Sequence, residues 1–136
     1  MNQQDQNIPY LLDQARFISN KSICPISNVP VGAAIQTDKG FIFVGHNIEI
    51  STGFVYCAEQ VAVINMINYC STNHLTTMRV LAIATYINRD DIEEPKRFSC
   101  GKCLQILSKF MYMNGVIAIG KVGEFELREL LPFPHK

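Results

Sequence analysis

Cys57-Ala58-Glu59 and Ser99-Cys100-Gly101-Lys102-Cys103 are the two stretches on which the reading of this chain turns. The Cys-x-x-Cys pair offers two thiolates and Cys57 a third, which leaves the fourth position of a tetrahedral zinc open to water. Glu59 can carry protons only if its carboxylate reaches that water rather than the metal. In mid-helix, residues i and i+2 point to different sides, so the spacing predicts Cys57 at the very start of a helix, where the backbone is not yet helical.

Working outward, residues 57 to 68 read as a helix whose apolar positions, Ala58, Val61, Ala62, Ile64 and Met66, spread too widely for a clean stripe and predict burial. Before it, 31 to 37 and 41 to 46 flank Asp38-Lys39-Gly40 and predict a hairpin. Asn47 to Tyr56 reads as a loop holding two polar residues, Asn47 and Glu49, just past a strand end. Two prolines make 24 to 30 another loop, and Ile8, Leu11, Leu12, Ala15 and Ile18 give 8 to 20 helical spacing. Downstream, the apolar run of 79 to 86 suits a strand covered on both faces. The charged connector 89 to 97 reads as a solvated loop, 103 to 113 as a helix and 116 to 119 as a strand. Residues 122 to 127 add an edge strand, and 127 to 131 a short helix stopped by Pro132 and Pro134. Each cysteine stretch follows a strand and opens a helix. This order predicts an α/β fold, a three-layer α-β-α sandwich with a mixed sheet of about five strands, as one domain over 1 to 136.

A chain of 136 residues is long enough to bury one sizeable core. No apolar run approaches the roughly 20 residues of a membrane helix, and Met1 to Asn7 lacks the basic start and apolar segment of a secretion signal. A soluble protein of a reducing cytoplasm is expected, with five free cysteines rather than disulfides. Twelve basic and twelve acidic residues give zero net charge, which argues against a nucleic-acid polymer as partner.

A structural zinc would need a fourth protein ligand. Cys70 lies about 20 Å from Cys57 if the helix runs between them, whereas Cys24 and His46 stay open as candidates. A redox role for Cys100 and Cys103 alone would leave Cys57 and Glu59 without a task.

Cys57-Ala58-Glu59 and Cys100-Gly101-Lys102-Cys103-Leu104-Gln105 resemble the two signature stretches of the zinc-dependent cytidine deaminase family. Cys24-Pro25-Ile26-Ser27 and Pro30-Val31-Gly32-Ala33-Ala34 are similar to its N-terminal segment, Asn47-Ile48-Glu49 to its sugar-binding loop and Leu130-Leu131-Pro132 to its end. The resemblance implies one Zn²⁺ per chain on Cys57, Cys100 and Cys103, where it lowers the pKa of bound water. Glu59 would be the general base and then acid. Asn47 and Glu49 would hold the ribose, and the backbone of Ala58 and Ser99 the base of a nucleoside substrate. It also implies a homotetramer with sites near subunit interfaces, and a role in pyrimidine salvage.

Some positions depart from the family pattern. Ser99 stands where Pro is usual, and Gln60 and Leu104 where arginines are common, so that Lys102 is the local cation left to offset three thiolates. Val29 replaces a stacking aromatic, with Phe133 or His135 of a neighbouring chain as possible substitutes, and Ile50 follows Glu49 in place of Asn. The resemblance therefore predicts a cytidine or deoxycytidine deaminase. Its alternatives are a deaminase of another aminated heterocycle, as in the blasticidin-S type, a non-catalytic zinc-containing binding module, and an editor of RNA or DNA.

Overall fold

The computed structural model describes residues 6–136; Met1 to Asp5, part of the segment read above for a secretion signal, lie outside the described residues. Helix α1 is Ile8–Ser19, capped by Asn7, whose side chain accepts from the Tyr10 N–H at 3.3 Å. A hairpin follows, β1 Val31–Thr37 and β2 Ile42–His46. Then come β3 Ile48–Ser51, β4 Phe54–Tyr56, α2 Ala58–Thr72 and β5 Val80–Ile87. A 3₁₀ turn at Glu94–Arg97 leads to α3 Gly101–Leu107, β6 Met111–Ile119, β7 Gly123–Glu126 and α4 Leu127–Leu130.

Five strands form one sheet in the order β2-β1-β5-β6-β7, and β3 pairs with β4 apart from it. Only β5 and β6 run parallel, joined through α3; the other neighbours are antiparallel. Strand alternation sends side chains to two cores. On one face Ala34, Ala82, Ala84 and Ala118 are small enough for α1 to lie close, burying Ile8, Leu11 and Ala15. On the other, Ala33, Ile35, Ile83, Ile117 and Ile119 meet Ala62 and Met66 of α2, Leu104 and Leu107 of α3 and Leu127 of α4. The three layers and the mixed five-stranded sheet agree with the expectation.

Four local expectations need correction. Residues 47 to 56 are not a plain loop, because β3 and β4 pair there and Ile23 bridges to Ile48, a contact between distant residues that local composition does not signal. Helix α2 runs to Thr72, past the expected end at 68, since Cys70 is buried in the core and packing prolongs it. Helix α3 stops at Leu107, and β6 already starts at Met111, where it pairs with Val80; sheet pairing outweighs the helical propensity of 108 to 113. The connector is not wholly solvated. Arg97 is buried, and its guanidinium donates to the carbonyls of Ile87 at 3.2 Å, Arg89 at 2.6 Å and Ile92 at 3.2 Å.

Candidate active site

Cys57 is the N-cap of α2 and Cys100 that of α3, both with extended backbone (φ −72°, ψ 155° and φ −70°, ψ 161°). That is why Cys57 and Glu59, two residues apart, can serve one site: one side chain leaves from before the helix and the other from its first turn. Gln60 fixes this start, for its Oε1 accepts the Cys57 N–H at 2.8 Å. A task at the helix cap thus occupies the position where the family pattern often has arginine.

The sulfur atoms of Cys57, Cys100 and Cys103 all lie within 4.8 Å of one another, with Cys100 and Cys103 3.4 Å apart. Cys24, Cys70 and His46 are not in the group; Cys70 is in the core, and His46 Nδ1 is 3.1 Å from the Asn47 carbonyl. Three ligands without a fourth among the described residues suit a zinc with one open position rather than a closed structural site. The Cys57 thiol is held down to about 7, chiefly by its hydrogen bond with Cys103, while burial and Glu59 oppose. Cys103, the donor in that bond and itself buried, is pushed well up. The positive end of α2 also favours thiolate at Cys57.

The cysteines open onto a cavity of about 280 Å³. Glu59, 6% exposed, lines it, as do Asn47, Ala58 and Ser99, so four of the five expected catalytic and substrate-binding residues share one space with the metal ligands. The N–H of Ala58, in the first turn of α2, has no acceptor within its own helix. Glu49 does not line the cavity. Its Oε1 accepts the Ile26 and Ser27 N–H groups at 2.9 Å each, clamping the loop that brings Ser27 and Val29 to the cavity. Asn47 is engaged too, accepting from the Ser22 hydroxyl and the Val31 N–H at 3.0 Å and donating to the Val29 carbonyl at 2.8 Å.

The Glu49 clamp has a pH signature. Hydrogen bonds from the Ser27 hydroxyl and from the Ser27 and Ile26 N–H groups favour the ionised form, so its pKa is lowered from 4.5. Such a group adds stability that is present above its unfolded-state pKa and lost as pH falls through the folded value. Denaturant midpoints should therefore show wild type above Glu49→Gln at pH 7, with the gap closing as pH drops below 4.5. A gap constant over that range would remove the carboxylate from the clamp.

Sequence reading missed Tyr56, Phe98, Thr85 and Arg97, all of which line the cavity. The two aromatics stand where Val29 alone left no flat face, Phe98 being braced against Phe125 with ring centroids 5.2 Å apart. Phe133 and His135 of the same chain lie in a separate groove, where Gln105 Nε2 donates to the His135 carbonyl at 2.6 Å.

The family described as the cytidine and deoxycytidylate deaminase zinc-binding region matches residues 5–119. The chain belongs to this family. Solved structures agree with the deaminase assignment. Cytidine deaminase from Mycobacterium tuberculosis superposes with a TM-score of 0.81 at 26% identity, covering 97% of this chain and 99% of that one. The enzyme from Mycobacterium leprae gives 0.76 at 27% identity, with 95% and 100% covered. The fold alone is shared with cytidine deaminase from Burkholderia pseudomallei, at 24% identity, a TM-score of 0.76 and 96% and 100% coverage. The cysteine cluster thus sits in a zinc-binding deaminase domain.

Proposed function

We propose that this protein is a zinc-dependent hydrolase of the cyclic amidine of cytidine and deoxycytidine, forming uridine or deoxyuridine and ammonia. One observation carries the reading: three cysteine sulfurs within 4.8 Å and the buried Glu59 face one cavity in a chain of the deaminase family. Cys57, Cys100 and Cys103 would hold one Zn²⁺, which when bound supplies a Lewis acid that makes water a nucleophile near neutral pH. The Glu59 carboxylate takes the proton of the attacking water and delivers protons to the ring nitrogen and the departing amine. The Ala58 N–H and the Ser99 carbonyl hold the base. Phe98 and Tyr56 offer the flat faces that Val29 lacks, stacking being worth on the order of 1–3 kcal/mol per base. Asn47, which lines the cavity, would meet the ribose, together with Glu49, whose carboxylate stands behind the cavity wall and orders the neighbouring loop.

A single domain over 1 to 136, working in the cytoplasm in pyrimidine salvage, fits this reading. All five cysteines are free, and no helix among the described residues is long and apolar enough to cross a membrane. Exposed apolar side chains on α2 and the small hairpin, among them Ile64, Ile67, Phe54 and Ile50, support a homotetramer with sites near its interfaces.

Ammonia release from a panel of nucleosides and aminated heterocycles tests the proposal. Cytidine and deoxycytidine should be turned over, with free cytosine much poorer because the ribose contacts are lost. Inactivity on both nucleosides at millimolar concentration, with turnover of a blasticidin-S-type substrate, would overturn the substrate assignment and leave the zinc chemistry standing.

A further inference from the structure

Along β5, Ala82 and Ala84 pack toward α1 and Ile83 toward α2, so strand alternation turns Thr85 toward α2 as well. Its cross-strand neighbours are Ala33 and Ile119, both core residues. Thr85 is therefore a hydroxyl set in an apolar surface. It is 3% exposed, and its Oγ1 has no hydrogen-bond partner among the described residues. Ser99 Oγ is buried and equally unpartnered. Both residues line the cavity that holds Glu59 and the cysteines.

An unpaired buried hydroxyl is unfavourable, and at position 85 valine would fill the same volume without it. Two other buried polar groups of the cavity wall are engaged by the protein itself, Asn47 with Ser22, Val29 and Val31 and Arg97 with three carbonyls, while Glu59 is the proton carrier of the function proposed above. Hydrogen-bonding capacity is left open at Thr85 and Ser99, toward whatever enters.

We propose that the Thr85 hydroxyl, together with that of Ser99, determines specificity by receiving the edge of the pyrimidine ring at which an amino group is exchanged for an oxo group. This rests on the function proposed above. The chemistry favours a hydroxyl at such an edge, because it accepts from an amino group and, rotated about its C–O bond, donates to a carbonyl. One side chain then serves substrate and product, whereas a backbone carbonyl can only accept.

The test compares zinc-loaded wild type, Thr85→Val and Thr85→Ser for kcat, KM for cytidine, inhibition by uridine, melting temperature and zinc content. Thr85→Val should raise both the KM and the uridine inhibition constant about 5- to 10-fold, the loss of one neutral hydrogen bond of about 1–1.4 kcal/mol. kcat should change little, since the contact is made in ground and transition state alike. Melting temperature should hold or rise, zinc content should stay constant, and Thr85→Ser should restore tight binding. In an active wild type, unchanged constants for Thr85→Val would overturn the inference. So would a fall in melting temperature with loss of zinc, which would make Thr85 a structural residue. A wild type that neither deaminates cytidine nor binds uridine would overturn this inference together with the function on which it rests.

Discussion

Replacing Glu59 by glutamine is expected to lower kcat by at least about 10²- to 10⁴-fold, the range that general acid–base catalysis contributes. Zinc content, measured by elemental analysis, should stay at one per chain, since the ligand set is three cysteines. Glutamine keeps the size of the side chain and its place in the first turn of α2, where Glu59 is 6% exposed, but cannot take up and release a proton. Because the carboxamide still fills the cavity wall, KM should move far less than kcat. Near-normal turnover would remove Glu59 from the chemistry, and loss of the metal would recast it as a ligand.

The second large effect belongs to Gly45, on the other side of the contact that seats the same helix. A Cβ there would lie 2.4 Å from the Ala62 nitrogen, 2.7 Å from the Ala58 carbonyl oxygen and 2.9 Å from the Val61 carbonyl carbon. All three are backbone atoms of α2, so relief requires the helix to move. Gly45→Ala should cost roughly 1–3 kcal/mol or more, as overpacking does, and lower the melting temperature by about 3–10 °C. The displaced segment begins with Cys57 and Glu59, and a misplacement of about 1 Å can cost about 10²-fold in rate. Turnover well below the melting temperature should therefore fall too.

Gly32→Ala is the matching control. Its Cβ would meet the Ala15 carbonyl oxygen at 1.9 Å and the Ser19 nitrogen at 2.8 Å, both in α1 on the opposite layer. It should destabilise at least as much while leaving zinc content and kcat near wild type. Equal losses of turnover in the two variants at a permissive temperature would show that α2 does not position the site through Gly45.

The grouping of the cysteines with Glu59 was legible in the sequence because it is local. A Cys-x-x-Cys at a helix start and a Cys two residues before a Glu carry their geometry in their spacing, and Cys57 at an N-cap follows from needing both side chains at one place. The layers were legible as well, from the periodicity of α1, the turn between β1 and β2 and the apolar run of β5.

What the sequence by itself determined is thus the cysteine cluster with Glu59 beside it and the order of the layers, since both follow from spacing between near neighbours. Only the tertiary structure decided the surroundings of those groups. Pairing of β3 with β4, with Ile23 bridged to Ile48, turned an apparent loop into a hairpin, and pairing of β6 with β5 took residues 111 to 113 from a helix into a strand. Carbonyls from three separate residues drew Arg97 out of a charged connector into the cavity wall. Among the described residues, Thr85 is left with an unpartnered hydroxyl by the apolar residues of two neighbouring strands. For the strands and Thr85 the deciding free energy comes from hydrogen bonds and burial between residues far apart in the chain, and for Arg97 from carbonyls five to ten residues away that only the folded connector brings round its guanidinium; local composition encodes neither.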